Sequence, residues 1–241
     1  MKIVQLLRVK NGEPFIKDFM DFMSQIVDYF YILDDGSTDK TYEICINHGH
    51  GKIKHIETFN REFHGGRDRA QLYQWLIDSY KLLWDDNIWC TCLDHNEIFE
   101  NKALRQFRDE LESLDPEYRC VQYMAYTMWN NKDTYRNDGM WKPKAFIRAF
   151  RFNPNWKMDN TRKFHSIAVP LEALKKDPNK DYYTSNIRLK HFGYLYSEMR
   201  QRKYEFYTAG ISMTTKVEIG ADDYKHLIDE TNMVLERWEE E

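Results

Sequence analysis

The chain has 241 residues, 35 of them basic and 39 acidic, with a formal net charge of -4. A chain of this length fits one domain with a sizeable core, and the near balance of charge excludes a bulk polycation for nucleic acid. Hydrophobic residues make up 42% of the chain and aromatic residues 15%, yet no apolar run approaches the roughly 20 residues that span a bilayer.

Residues 3–9 read as a buried strand, and residues 13–26 place Phe15, Phe19, Phe22, Met23 and Ile26 at helical spacing. A second strand is expected over 29–33, then a short helix over 40–47 closed near Gly49 and Gly51, and a third strand over 53–59. Tyr73, Leu76, Tyr80 and Leu83 make an amphipathic stripe in a helix over 67–84; a fourth strand over 88–93 and a helix over 103–114 follow. Strand and helix thus alternate through the first half, which calls for a mostly parallel sheet with helices on both faces. The second half reads differently. Strands are expected over 120–129, 145–152, 164–169 and 187–192, joined by polar loops, and closing helices over 197–213 and 222–238. No repeat, low-complexity tract or linker divides the chain, so residues 1–241 read as a single domain. About 1–100 form a nucleotide-binding half and about 101–241 an acceptor-side half.

Two strands end in acids. Tyr29-Phe30-Tyr31-Ile32-Leu33 runs into Asp34-Asp35-Gly36-Ser37-Thr38-Asp39, and Ile88-Trp89-Cys90-Thr91-Cys92-Leu93 runs into Asp94-His95-Asn96-Glu97. Ligands of open α/β sheets sit outside the carboxyl ends of the strands, so these acids point to a nucleotide site with a cation beside it. No G-x-G-x-x-G or Walker-type loop follows the first strand. The four cysteines form no C-x-x-C pair; Cys90 and Cys92 alternate in a strand and read as small core residues, with a reducing cytoplasm as the expected location. Met1 to Arg8 is too short and too soon interrupted for a signal peptide.

The set Val9-Lys10-Asn11 with Glu13, then Leu33-Asp34-Asp35-Gly36-Ser37-Thr38-Asp39, then Leu93-Asp94-His95-Asn96-Glu97 resembles family 2 glycosyltransferases of the GT-A fold. Weaker matches follow in order at Gly66-Arg67-Asp68-Arg69-Ala70, Phe146 to Arg151, Phe164-His165-Ser166 and Lys190-His191-Phe192-Gly193-Tyr194, the later ones similar to lipopolysaccharide-core-type members. The resemblance implies a GT-A-like α/β domain: a mostly parallel central sheet flanked by helices, a smaller mixed β region and C-terminal helices. It further implies inverting transfer of a sugar from a nucleotide donor, UDP-linked, to a glycan or lipid-linked acceptor.

The same resemblance assigns roles. Asp35 accepts the uracil imide N–H, while Asp34 orients the loop. Arg8, Val9, Asn11 and Glu13 line the base pocket, partly through backbone groups. Arg67 reaches the nucleotide or is solvated. Asp94 lies near ribose and cation, and Asp94, Asn96 and His191 are the expected ligands of Mn²⁺ or Mg²⁺, hard cations that take oxygen donors. Asn96 stands where the family has its main metal-binding Asp, and an amide brings no formal charge. His191 is a ligand or a histidine bonded within the sheet. Ser166 stands where relatives carry Glu, so the general base is placed instead at Asp159, whose segment leads into the strand expected over 164–169, or Asp159 is a turn acid; Asp138 and Glu97 stand behind it. The Trp141 to Lys157 stretch is an acceptor wall or a hairpin with buried Trp residues. A sugar-nucleotide nucleotidyltransferase and a non-catalytic nucleotide- or glycan-binding module are the rival readings.

Overall fold

The computed structural model describes residues 1–83, 85, 87–174, 182–210 and 224–240. Its strands are β1 (Lys2–Val9), β2 (Tyr29–Asp34), β3 (Ile53–Thr58), β4 (Ile88–Thr91), β5 (Glu97–Phe99), β6 (Cys120–Thr127), β7 (Thr134–Arg136), β8 (Lys144–Arg151), β9 (Tyr182–Thr184), β10 (Leu189–His191) and β11 (Leu235–Arg237). Its helices are α1 (Glu13–Ile26), α2 (Thr41–His48), α3 (Gly65–Ser79), α4 (Ala103–Ser113) and α5 (Ser197–Gly210). Two compact units form: Met1–Met124 with Ala145–Leu189, and Ala125–Lys144 with Lys190–Glu241.

The first unit carries the α/β sheet, with strands in the order β3-β2-β1-β4-β8-β6. β1 runs parallel to β2 and β4, and β2 parallel to β3, while β8 lies antiparallel to β4. This mostly parallel sheet flanked by helices is consistent with a GT-A-like fold. β1 and β2 are buried over nearly their whole length, as strands covered on both faces must be. α1 begins with Pro14, whose missing N–H costs nothing in a first turn, and lays Phe15, Ile16, Phe19, Met20 and Met23 into the core. Leu72, Tyr73 and Leu76 of α3 close a core cluster with Val4, Leu6, Tyr31, Leu33, Cys90 and Phe150. Cys90 and Cys92 are buried and free, as expected of small core residues.

In the second unit β7 pairs antiparallel with β11. Trp129 and Trp141 meet edge to face at 4.9 Å, and Arg136 lies over both rings. Trp141 is therefore core, which settles that end of the aromatic stretch in favour of packing.

Several expected elements change. Residues 164–169 form no strand. The segment before them turns at Asp159, and its carbonyls are spent on the start of α3: Gly65 N donates to Lys163 O and Gly66 N to Arg162 O, both at 2.9 Å. The helix expected over 222–238 is absent among the described residues of that range. A 3₁₀ turn at Lys225–Leu227 and β11 stand instead. Tyr224 and Asn232 have left-handed φ of 52° and 56°, and Asp229 Oδ1 accepts from Thr231 N at 2.8 Å, a local bond that competes with helix. α3 starts two residues earlier than expected and tightens to a 3₁₀ turn over Tyr80–Leu83. Trp84 and residues 211–213, 222 and 223 of the expected helices lie outside the described residues. β5, β7, β9 and β11 have only three residues each, too few for a period to show.

A Cβ on Gly66 would meet Asp159 O at 2.7 Å and Arg162 O at 2.8 Å, backbone atoms that cannot swing aside. Gly66→Ala should therefore destabilise the protein by about 1–3 kcal/mol. Urea unfolding checks this, and an unchanged midpoint would show that the 159–163 turn is not held against α3.

Candidate functional site

The loops after β1 and β2 are stitched to each other. Asn11, in the left-handed region at φ 47°, donates from its backbone N to Ser37 Oγ and accepts from Thr38 N through Oδ1, both at 2.9 Å. Gly12 N donates to Thr41 Oγ1 at 2.7 Å, and Glu13 and Asp39 exchange side-chain bonds with each other's loop. Asp34 is spent on Ser37 and Thr58, as a loop-orienting acid should be. Asn11 and Glu13 thus hold loop geometry with their side chains, and Val9 contributes a backbone carbonyl to Asp35 N at 2.8 Å. The ring of His95, from the β4 loop, packs where a Cβ on Gly12 would fall, at 2.9 Å. All three sequence motifs meet at the carboxyl end of the sheet.

The charges behind these loops form a chain. Arg8, leaving the sheet near the end of β1, places Nε 2.9 Å from Asp68 Oδ2 and binds Asp35 Oδ2 through its terminal nitrogen. Asp68, in the first turn of α3, also accepts from Arg61 at 2.9 Å and from Arg67 Nε at 3.0 Å through Oδ1. Asp35 and Asp68 are fully buried. Three guanidinium groups face two carboxylates here, so the cluster carries one surplus positive charge. Oδ1 of Asp35 is buried and accepts no hydrogen bond among the described residues. Burial pushes the Asp35 carboxyl up from its ordinary range, against the pull of Arg8 and with the help of the Asp68 charge. Arg8 also lies over the Phe63 ring, 4.3 Å from its centroid, and Phe63 stacks on Phe164.

The acids after β4 are met by arginines as well. Asp94 Oδ1 accepts from Arg69 at 3.1 Å. Glu97 is buried, with both oxygens on Arg148 at 2.6 and 2.7 Å and one also on Asp94 N. Burial disfavours the Arg148 charge, but Glu97 beside it wins and holds the guanidinium protonated. As arranged, the expected metal motif offers one carboxylate already paired, one amide at Asn96 and a glutamate that is fully engaged. That donor set fits a divalent cation poorly, because hard cations are held by anionic oxygens. His191 ends β10 in the second unit, where Met128 N donates to its carbonyl at 2.9 Å and its ring meets Tyr194 edge to face.

Among the carboxylates named for the base, Asp138 is gripped by Arg136 on both oxygens at 2.7 and 2.9 Å, and Glu97 by Arg148. Asp159 closes a turn through Oδ1, accepting from Thr161 N and Oγ1, and its Oδ2 stands 3.5 Å from Arg162. The Thr161 bonds hold its carboxyl below the usual carboxylate range. Sequence reasoning missed Arg61 and gave no role to Asp68, Arg69 and Arg148, which lie within its weaker motif matches. The run Arg67-Asp68-Arg69, six residues after Arg61, carried a readable signal, an acid amid arginines at a helix start.

No protein-family model matches the sequence, and no curated protein matches it. Among solved structures the chain is similar to residues 1–349 of S. aureus TarS, at 12% identity over 96% of this chain and 74% of that one, with a TM-score of 0.48. It is similar to glucosyl-3-phosphoglycerate synthase from Mycobacterium tuberculosis in complex with Mn²⁺, UDP and glucosyl-3-phosphoglycerate, at 18% identity and a TM-score of 0.34, over 52% of this chain and 44% of that one. A third likeness is to the inositol-1-phosphate CTP transferase from T. maritima, at 11% identity over 88% of this chain and 98% of that one, with a TM-score of 0.43. Likeness at this level says nothing about substrate.

A buried carboxylate that loses its cations is costly, whereas one among three of them is secured. Replacing the hub should release Arg8, Arg61 and Arg67 together. Asp68→Ala is expected to lose about 3–5 kcal/mol of stability in urea unfolding. A loss below about 1 kcal/mol, the scale of a surface pair, would mean that the cluster is dispensable.

Proposed function

We propose that this chain is a glycosyltransferase that moves a sugar from a UDP-linked donor to a glycan or lipid-linked acceptor with inversion. The observation that carries the reading is Oδ1 of Asp35, a buried carboxylate oxygen without a hydrogen-bond donor at the carboxyl end of β2. Such an atom calls for a donor, and the uracil imide N–H supplies one. Asp35 is closed to solvent, so uracil reaches it when a neighbouring side chain moves. Arg8, with its guanidinium on the Phe63 ring, is the neighbour placed to do so.

The transfer breaks the bond between the anomeric carbon and the diphosphate oxygen, and UDP leaves with the electron pair. The acceptor hydroxyl oxygen attacks the opposite face, and its proton passes to a base. The charge that develops on the leaving diphosphate needs positive partners. In this proposal Arg61 and Arg67 supply them, and no step is routed through a cation. Of the three acids named for the base, Asp159 alone is free of a two-point guanidinium clamp, so the role is proposed for it.

Asp35→Asn should weaken UDP binding by about 1–3 kcal/mol, since a charge-assisted bond becomes a neutral one. The pH dependence has a definite sign. The folded pKa of Asp35 is raised, so protonation favours the folded form, while UDP needs the ionised carboxylate. Affinity for UDP should therefore begin to fall, on acidification from neutrality, above the ordinary value of 3.8, and Asp35→Asn should flatten that fall. Titration calorimetry across pH decides; identical profiles for the two proteins remove Asp35 from the site.

Asp159→Asn keeps an oxygen for Thr161 and so keeps the turn. It should lower kcat by a factor on the order of 10²–10⁴ with UDP affinity nearly intact. A near-normal kcat rules Asp159 out.

A second reading has specific support in Asn96 and in the Arg69–Asp94 and Arg148–Glu97 pairs: a nucleotide-binding module without transfer. UDP binding without turnover across a panel of UDP-sugars and acceptors would favour it.

A further inference from the structure

A second chemistry-bearing cluster lies at the other end of the same unit. α2 ends at His48 and β3 begins at Ile53, so their connection sits at the amino ends of the parallel strands, whereas Asp35 and Asp94 follow the carboxyl ends. There, Oδ1 of Asp21 from α1 receives His48 Nδ1 at 2.7 Å and His50 Nε2 at 3.1 Å. One donor atom from each of the three residues falls within 4.8 Å of the others.

We propose that Asp21, His48 and His50 form a binding site for a divalent transition-metal ion of the zinc class, separate from the nucleotide site. Two imidazole nitrogens with one carboxylate oxygen are the donors that borderline cations prefer over hard ones. Tetrahedral bonds of about 2.0–2.1 Å set donors about 3.3 Å apart, so the two contacts at Oδ1 need to open by about 0.6 and about 0.2 Å. The carboxylate is already oriented. Its other oxygen accepts from Lys17 Nζ at 2.7 Å, which aims Oδ1 at both rings in the way outer partners orient metal ligands.

The loop is held in place too. Lys52 Nζ donates to Ser24 O at 2.6 Å and to Val27 O at 2.8 Å, pinning the turn to the end of α1. His50 at φ 48° and Gly51 at φ 72° turn the chain in the left-handed region, so that the His50 ring comes back toward α1. The ring of His50 is half exposed, so solvent reaches the cluster on that side. A bound ion would cross-link α1 to the α2–β3 turn.

Zn²⁺ alone is the probe, titrated calorimetrically into the full chain, with the visible spectrum of bound Co²⁺ reporting tetrahedral coordination. His50→Gln alters an exposed side chain, Asp21→Asn removes the charge, and His55→Gln changes a half-buried histidine of β3 outside the cluster. Wild type and His55→Gln should bind one equivalent with a tetrahedral Co²⁺ spectrum. His50→Gln and Asp21→Asn should bind at least about tenfold more weakly and lose that spectrum. Zn²⁺ should raise the melting temperature of the wild type and not of these two variants, by mass action on the folded state. UDP affinity should be the same in all four proteins, so failure of this site and failure of the nucleotide reading are told apart. Equal Zn²⁺ affinity in wild type and His50→Gln, or no stoichiometric binding to the wild type, overturns the proposal.

Discussion

Asp68 is a carboxylate sealed from water, and an ion in that position must be surrounded by opposite charge and hydrogen-bond donors to exist at all. The donors come from three places: Arg8 near the end of β1, Arg61 from the loop after β3 and Arg67 from the first turn of α3. Meeting the needs of one side chain therefore draws three segments to the carboxyl end of the sheet. Arg8 then reaches on to Asp35, and the demand of one buried acid fixes the place of a second. Loop order follows from the same economy of partners. Ser37 and Asp39 accept from the backbone of Asn11 and Glu13, whose side chains accept from Thr38 N and Lys40 N, which leaves Asp35 as the acid with an oxygen to spare.

The two acidic strand ends differ in their chemistry. After β2, Arg8, Arg61 and Arg67 gather on Asp35 and Asp68, while Asp34 is held by the hydroxyls of Ser37 and Thr58. After β4, charge is cancelled in pairs, Arg69 with Asp94 and Arg148 with Glu97. Asn96 belongs to this pattern, since an aspartate there would add a carboxylate without a guanidinium to match it. A site that neutralises a diphosphate with side chains rather than a cation would be built this way.

Much of the fold was legible. α1 was bounded correctly because Phe15, Phe19, Met23 and Ile26 hold one helical face and Pro14 opens it. β1 and β2 read as continuous apolar runs because both faces are covered. Fidelity fell where tertiary contacts decide. The apolar residues near Phe164 look like a strand, yet the backbone just before them serves the N–H groups of α3. The helix expected over 222–238 is interrupted at Asp229 and Asn232. At the site, the sequence named Asp35, Arg8 and Arg67 but not the residue that gathers them. Burial cannot be read from a sequence, so the run Arg67-Asp68-Arg69 signals an acid among arginines at a helix start but not that Asp68 is the buried hub. Nor could spacing show that Asn11 and Glu13 spend their side chains on loops, because those partners lie 27 residues away.

The most direct measurement of the account is a crystal structure of the protein with UDP bound. Uracil N3 is expected within about 2.7–3.0 Å of Asp35 Oδ1 and the diphosphate against the Arg61 and Arg67 side chains. UDP bound away from Asp35, with the Arg8–Asp35 pair unchanged and Oδ1 still without a donor, would contradict it.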